Sequence, residues 1–199
     1  MNDKLKAAIL SEAVNGIITS RRLTELGIRR SALNELLVTG DLLKVERGIY
    51  TLKDAWGDEF YILQQRYRKG IYSHGTALYL HGYSERVPLS FHMTFPTGYN
   101  SKTVLDSNII PSRIKDDFYY AGITEVETPS GFLVKCYDLE RSICDCLRGS
   151  SNDTQTTLYA IKKYAASKEK NLNQPREFVL GFYWRRGRDS NPRVLSHKL

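Results

Sequence analysis

Residues 17–52 read IITSRRLTELGIRRSALNELLVTGDLLKVERGIYTL, and this stretch decides the fold. Thr19 and Ser20 both suit a helix N-cap, where a side-chain oxygen accepts a bond from a first-turn backbone N–H. Leu23 and Leu26 follow at helical spacing, and Gly27 stops the helix. Another helix is expected to open at Arg29 or Arg30, run through Leu33, Leu36 and Leu37, and end at Thr39-Gly40. Beyond Gly40 the apolar period shortens. Leu42–Arg47, a tight turn at Gly48 and Ile49–Leu52 read as two short strands. Upstream, Leu5, Ile9 and Ala13 recur four residues apart with Ala8 beside them, predicting a first helix that Asn15-Gly16 ends. Three helices followed by a two-stranded ribbon is the order of a winged helix-turn-helix.

That reading gives the polar residues of the stretch a job. A helix entering a DNA major groove presents its N-terminal residues to base edges. Arg29, Arg30 and Ser31 stand there; an arginine fork matches the two acceptors of guanine, and the Asn34 amide, four or five residues on, suits adenine. Thr19, Ser20, Arg21 and Arg22 open the preceding helix, where hydroxyls, backbone N–H groups and arginines reach phosphates. In the ribbon, Lys44 and Arg47 are placed for the sugar-phosphate edge or the minor groove. The plain alternatives are four arginines on a solvated surface, or a winged helix used only for protein contacts.

Outward from this head, Asp54–Asp58 reads as a junction, giving a domain over residues 1–56 and a larger mixed α+β domain over 57–174. In the second domain helices are expected over Glu59–Lys69, Ser73–Tyr83, Leu139–Arg148 behind an Asp138 cap, and Thr154–Ser167. Strands are expected over Phe91–Phe95, Phe118–Tyr120, Thr124–Thr128 and Phe132–Cys136. Residues 175–199 differ in character: an apolar run, Phe178–Trp184, precedes the basic, turn-rich RRGRDSNPR. This basic tail reads as atypical and unstructured, resembles read-through of a transfer-RNA gene, and is assigned no function.

Charge is informative only when divided along the chain. The 199 residues carry 29 Lys+Arg against 22 Asp+Glu, net +7, yet residues 175–199 alone contribute +4 of it, while 1–56 contribute +2 and 57–174 only +1. Overall basicity is therefore weak evidence for nucleic acid, and local clustering carries the case. No apolar run approaches the ~20 residues of a membrane span. Three cysteines, two of them in Cys144-Asp145-Cys146, point to a reduced, cytoplasmic protein.

Other chemistry is poorly supported. His74 and His81 are seven apart on one expected helix, about 10 Å along its axis, too far for one metal ion. His92 stands on the next strand, and all three read as structural. The thiols of Cys136, Cys144 and Cys146 lack a paired C-x-x-C and read as small buried groups. Asp116-Asp117, Glu125 and Glu127, with Lys135, resemble a nuclease metal site only loosely. No phosphate loop or nucleophile elbow is present. The expectation is a non-enzymatic protein without metal or cofactor, with two alternatives: a regulator whose second domain senses a small molecule, and a winged-helix-targeted nuclease. Basic residues of the second domain (Arg113, Lys115, Lys135, Arg141, Arg148, Lys162 and Lys163) read as a mixed solvated surface rather than a patch.

Several runs together resemble a family. Ile18-Thr19-Ser20, Gly27-Ile28, Gly40-Asp41-Leu42 and Arg47-Gly48-Ile49-Tyr50, followed by Tyr72-Ser73-His74-Gly75-Thr76-Ala77-Leu78-Tyr79-Leu80-His81-Gly82-Tyr83, Met93-Thr94-Phe95-Pro96 and Leu139–Asp145, resemble AbiEi-type antitoxins over about residues 1–170. The winged-helix part alone is unspecific; the ordered His-Gly-Thr-Ala-Leu segment narrows it. The resemblance implies an antitoxin of a bicistronic phage-defence toxin–antitoxin system. Its first domain would bind inverted repeats in the double-stranded DNA of its own promoter and act as repressor. Its second would counteract an AbiEii-like nucleotidyltransferase toxin without a stable complex. The resemblance brings no catalytic motif.

Overall fold

The computed structural model describes residues 3–55, 57–99, 104, 108–148 and 153–167. The expected tail at 175–199, Trp56 of the expected junction and residues 149–152 lie outside the described residues. The chain is an α+β protein of two compact units: Met1–Gly70 with Glu125–Lys135, and Ile71–Thr124 with Cys136 onward.

In the first unit the order is α1 (Asp3–Ser11), β1 (Ile17–Thr19), α2 (Ser20–Glu25), α3 (Arg30–Val38), β2 (Leu42–Glu46), β3 (Ile49–Leu52) and α4 (Glu59–Arg66). The strands form an antiparallel sheet in the order β1-β3-β2. β1 is an addition to the sequence reading: two isoleucines and a threonine are too short a run to show a period. One face of this sheet and the three helices share a core of Ile9, Ile18, Leu23, Leu33, Leu36, Leu42 and Tyr50. Of the stripe expected on α1, Ile9 is fully buried, Ala13 packs at the core's edge, and Leu5 stays half exposed.

The corner between α2 and α3 is fixed by backbone geometry. At the end of α2, Ile28 N–H donates to Leu23 C=O (2.9 Å) and Gly27 N–H to Thr24 C=O (3.0 Å). This closing pattern needs a left-handed residue, and Gly27 supplies it at φ +68 without a Cβ penalty. Ile28 then packs against the core that holds Leu23.

The sequence reading divides the chain at 56/57, whereas α4 and residues 125–135 belong to the first compact unit. The cause is visible in their packing. Ile62 of α4 and Phe132 share a second cluster with Ile17 and Ile49, and Tyr61 stacks on Phe132 at 4.4 Å between ring centroids. Asp58 caps α4, accepting from Tyr61 N–H (2.8 Å), and its other oxygen accepts from the Thr128 hydroxyl (2.6 Å). The amide of Gln64 bonds both backbone groups of Lys135: Nε2 donates to the C=O (2.8 Å) and Oε1 accepts from the N–H (2.6 Å). A buried side chain thereby does the work of a neighbouring strand.

The second sheet has the order β6-β5-β4-β8-β7, from β4 (Ile71–Tyr72), β5 (Phe91–Pro96), β6 (Ile109–Ile114), β7 (Ile123–Glu127) and β8 (Leu133–Tyr137). The division between the units runs through β7 and β8. β4 pairs antiparallel with β5 and parallel with β8, and β5 pairs parallel with β6. In the second unit α5 (His74–Leu80), α7 (Leu139–Arg148) and α8 (Thr154–Ala166) pack through Leu78, Ile143, Cys146 and Ala160. The strand expected at Phe118–Tyr120 is instead part of a helical turn, α6 (Asp116–Tyr119). Two acidic residues in its first turn complement the positive end of the helix dipole, and this outweighs the strand preference of the aromatics. Asp138 caps α7 as expected, accepting from Arg141 N–H at 2.8 Å.

Candidate nucleic-acid interface

α2, α3 and the β2–β3 turn enclose a groove of about 440 Å³ in the first unit. Its base is apolar, from Leu23, Ile28, Leu33 and Tyr50; its polar lining is Ser20, Arg21, Thr24, Arg29, Arg30, Asn34 and Arg47. Four arginines therefore line one concavity that no carboxylate lines. Each is put there by a local feature. Arg29 is the extended residue before α3 (φ −68, ψ 144), and Arg30 opens the helix. Asn34 follows Arg30 by four residues, one turn on along the same face.

Arg47 is brought in by the turn. Glu46 pairs with Ile49, leaving Arg47-Gly48 as the two-residue loop, with Gly48 at φ +80. Ser20 N–H donates to Gly48 C=O at 2.8 Å, so the tip is tied to the start of α2. A Cβ on residue 48 would lie 2.6 Å from Ser20 Oγ. Glycine is required here for its backbone angle and accommodates the close approach.

The expected contact residues divide into three groups. Arg29, Arg30, Asn34, Arg47 and Ser20 meet in the groove, and the three arginines among them have no ion pair with any described residue. Arg21 and Arg22 are already engaged. Arg21 Nε meets Glu25 Oε1 at 2.8 Å; Arg22 holds Glu12 through Nη2 and Nε (2.9 and 3.2 Å) and lies 3.9 Å from the other Glu25 oxygen. Thr19 accepts from Arg22 N–H (3.2 Å) and caps α2, a structural role. Ser31 and Lys44 are exposed but lie outside the groove lining. The expected free phosphate arm of α2 is therefore largely neutralised, and the uncompensated charge sits on α3 and the turn. The partners Glu12 and Glu25 lie ten and three or four residues from their arginines, a pairing that spacing alone leaves open.

The second unit holds a different polar cluster. His74 is the first residue of α5 and has φ +50, a left-handed conformation uncommon outside glycine, in which Asn, Asp and His are enriched. Its ring meets that of His92 edge-on at 5.3 Å. Ser73 stands at the N-cap of α5 but makes no side-chain cap bond; its hydroxyl pairs with His74 Nδ1 and accepts from Thr94, each at 2.9 Å. Burial lowers both histidines to about 4, helped by the Arg141 charge at His74 and by His74 at His92. His92 lines a cavity of about 430 Å³ with Thr76, Arg86, Val87, Leu89 and Ile110 among others. His81 bonds Tyr137 C=O at 2.8 Å.

Arg141, expected on the solvated surface, is only 3% exposed. Its guanidinium donates to the carbonyls of Phe118 and Ala121 and stacks on the Tyr137 ring, making it an internal brace. Burial raises the thiols of Cys136, Cys144 and Cys146, Cys146 to about 12, which keeps them protonated. Among the described residues no group of three or more His, Cys, Asp or Glu is placed to hold a metal ion, and no helix is long and apolar enough to cross a membrane.

No protein-family model and no curated protein matches the chain. Among solved structures the chain is similar to the crystal structure of the RV2827C protein from Mycobacterium tuberculosis, at 18% identity and a TM-score of 0.49, over 71% of this chain. The chain spans 58% of that protein's length.

Proposed function

We propose that the protein binds double-stranded DNA through the α2–α3–turn groove and acts as a sequence-selective repressor. The carrying observation is the convergence of Arg29, Arg30, Asn34 and Arg47 on a concavity without a lining carboxylate. In this reading the first unit is a winged helix, with α3 as the recognition helix and β2–β3 as the wing. Arg30 and Asn34, one turn apart, offer guanine and adenine recognition on neighbouring base pairs, and Arg29 and Arg47 contact the flanking backbone or the minor groove. The salt dependence then comes mainly from α3 and the wing rather than from α2.

The biological role we infer is that of an autorepressing, non-enzymatic, cytoplasmic antitoxin. Its support is the resemblance to AbiEi-type antitoxins across both parts of the chain. The second domain would counteract an AbiEii-like nucleotidyltransferase toxin without a stable complex. Footprinting on DNA upstream of the gene tests the first half: protection of an inverted repeat is expected. Co-expression with the neighbouring toxin gene tests the second: growth should be restored by the intact chain. Absence of a toxic neighbour, or no rescue by the folded protein, would remove the antitoxin role and leave the DNA reading standing.

A second reading, a repressor released by a small ligand, is favoured by the cavity beside His92. It would be distinguished by ligand-dependent loss of the footprint.

A further inference from the structure

α2 carries an arrangement that helix energetics does not explain. Arg21 and Arg22 occupy its first turn, and Glu25 is its last residue. Each charge faces the unfavourable end of the helix dipole, and an Arg-to-Glu pair in this chain direction is the weaker i,i+4 orientation. The Arg21–Glu25 side chains are 68% and 49% exposed, where an ion pair adds little to stability. The pair nevertheless sits at a distinctive place. Arg21 is the one groove-lining guanidinium with an ion-pair partner among the described residues, while Arg29, Arg30 and Arg47 have none.

We propose that Glu25 acts as an internal phosphate mimic, competing with DNA for Arg21 and so limiting the affinity of the groove. This rests on the DNA-binding reading. A free arginine that meets a phosphate releases about 0.9 of a condensed counterion, which strengthens binding and steepens its salt dependence. An arginine already neutralised by a carboxylate exchanges one anion for another and leaves that carboxylate beside the phosphates. The exchange yields little net binding. Because phosphates are the same in every sequence, Glu25 lowers affinity for operator and random DNA alike, and reduces the protein's retention by bulk DNA.

The experiment is a fluorescence-anisotropy titration of the full chain onto two labelled duplexes, the upstream DNA and a scrambled duplex of equal length, from 50 to 250 mM salt. Glu25→Gln should bind both duplexes about 3- to 10-fold more tightly near ~100 mM salt and steepen the log–log salt slope by about one unit. Arg21→Ala should remove most of the gain: E25Q added to R21A relieves only the repulsion of a bare carboxylate, so it should tighten binding clearly less than E25Q does in the wild type. Glu25→Ala provides a second variant, and circular dichroism checks that each remains folded.

Unchanged affinity and slope in folded E25Q would overturn the proposal. So would a gain confined to one duplex, or a gain just as large without Arg21, since these would make Glu25 a base-reading or merely repulsive residue. Wild-type protein that binds neither duplex would instead overturn the DNA-binding reading itself, a result separate from the failure of E25Q to improve on a wild type that binds.

Discussion

Arg30 and Arg22 are chemically identical and eight residues apart, yet their surroundings assign them different behaviour. Arg22 is clasped by Glu12 with two bonds, whereas Arg30 faces the groove with no ion pair to a described residue. Arg30→Ala should cost about 1–3 kcal/mol of binding to the operator and less on random DNA, as a base reader would, whereas Arg29→Ala, at a backbone contact, should weaken both duplexes alike. Arg22→Ala should weaken binding to both duplexes alike, by about 2- to 5-fold, because it removes no base contact but leaves Glu12 uncompensated beside the interface. Competition gel shifts on the two duplexes check this; equal losses on both for R30A would reduce it to a phosphate contact. The histidine pair gives a separate prediction. His74 and His92 titrate near 4 when folded and near 6.5 when unfolded, so the unfolded chain takes up protons first as pH falls. Their contribution to stability is complete above about pH 6.5 and is lost as pH drops toward about 4. The melting temperature should therefore decline already between about pH 6.5 and 5. His74→Asn, which tolerates the left-handed backbone, combined with His92→Gln, should flatten that decline. An unaltered slope in the double variant would place the acid sensitivity elsewhere.

The β2–β3 turn shows how one element positions chemistry made by another. Gly48→Ala places a side chain at φ +80 and within 2.6 Å of Ser20 Oγ. The backbone penalty is about 1–2 kcal/mol, while the flexible hydroxyl can rotate aside. Urea unfolding should show that loss, with Ser20→Ala recovering only a small part, and DNA affinity should fall as Arg47 leaves the groove. Full stability in G48A would contradict the tied-turn account. Elements with a clear period were legible in the sequence: α2, α3, β2–β3 and α7 with its Asp138 cap fall where spacing puts them. Elements defined by context were not. β6 carries Pro111 at its centre, which argues against a strand; it is tolerated because β6 is the sheet edge and needs no donor on its open side. β4 is two residues long and exists through its partners. The groove residues could be named from the motif, but their division into paired and unpaired arginines depends on Glu12 and Glu25, and no local rule supplied it.

Across the molecule, the proposal assigns operator binding to the first compact unit and toxin neutralisation to the second. A folded R29A/R30A double variant should lose repression yet still rescue growth from the toxin. Loss of both together would mean that neutralisation needs promoter DNA. These proposals depend on one claim, that the groove reads DNA sequence. The most direct test is a gel shift of the full chain on the DNA upstream of its gene against scrambled DNA of equal length at ~150 mM salt. Preference for the native sequence by about 100-fold or more is expected, a modest demand beside the ~10³-fold or greater ratios usual for specific readout. Equal binding would reduce the arginines to general phosphate attraction, and no binding to either duplex would contradict the interface altogether.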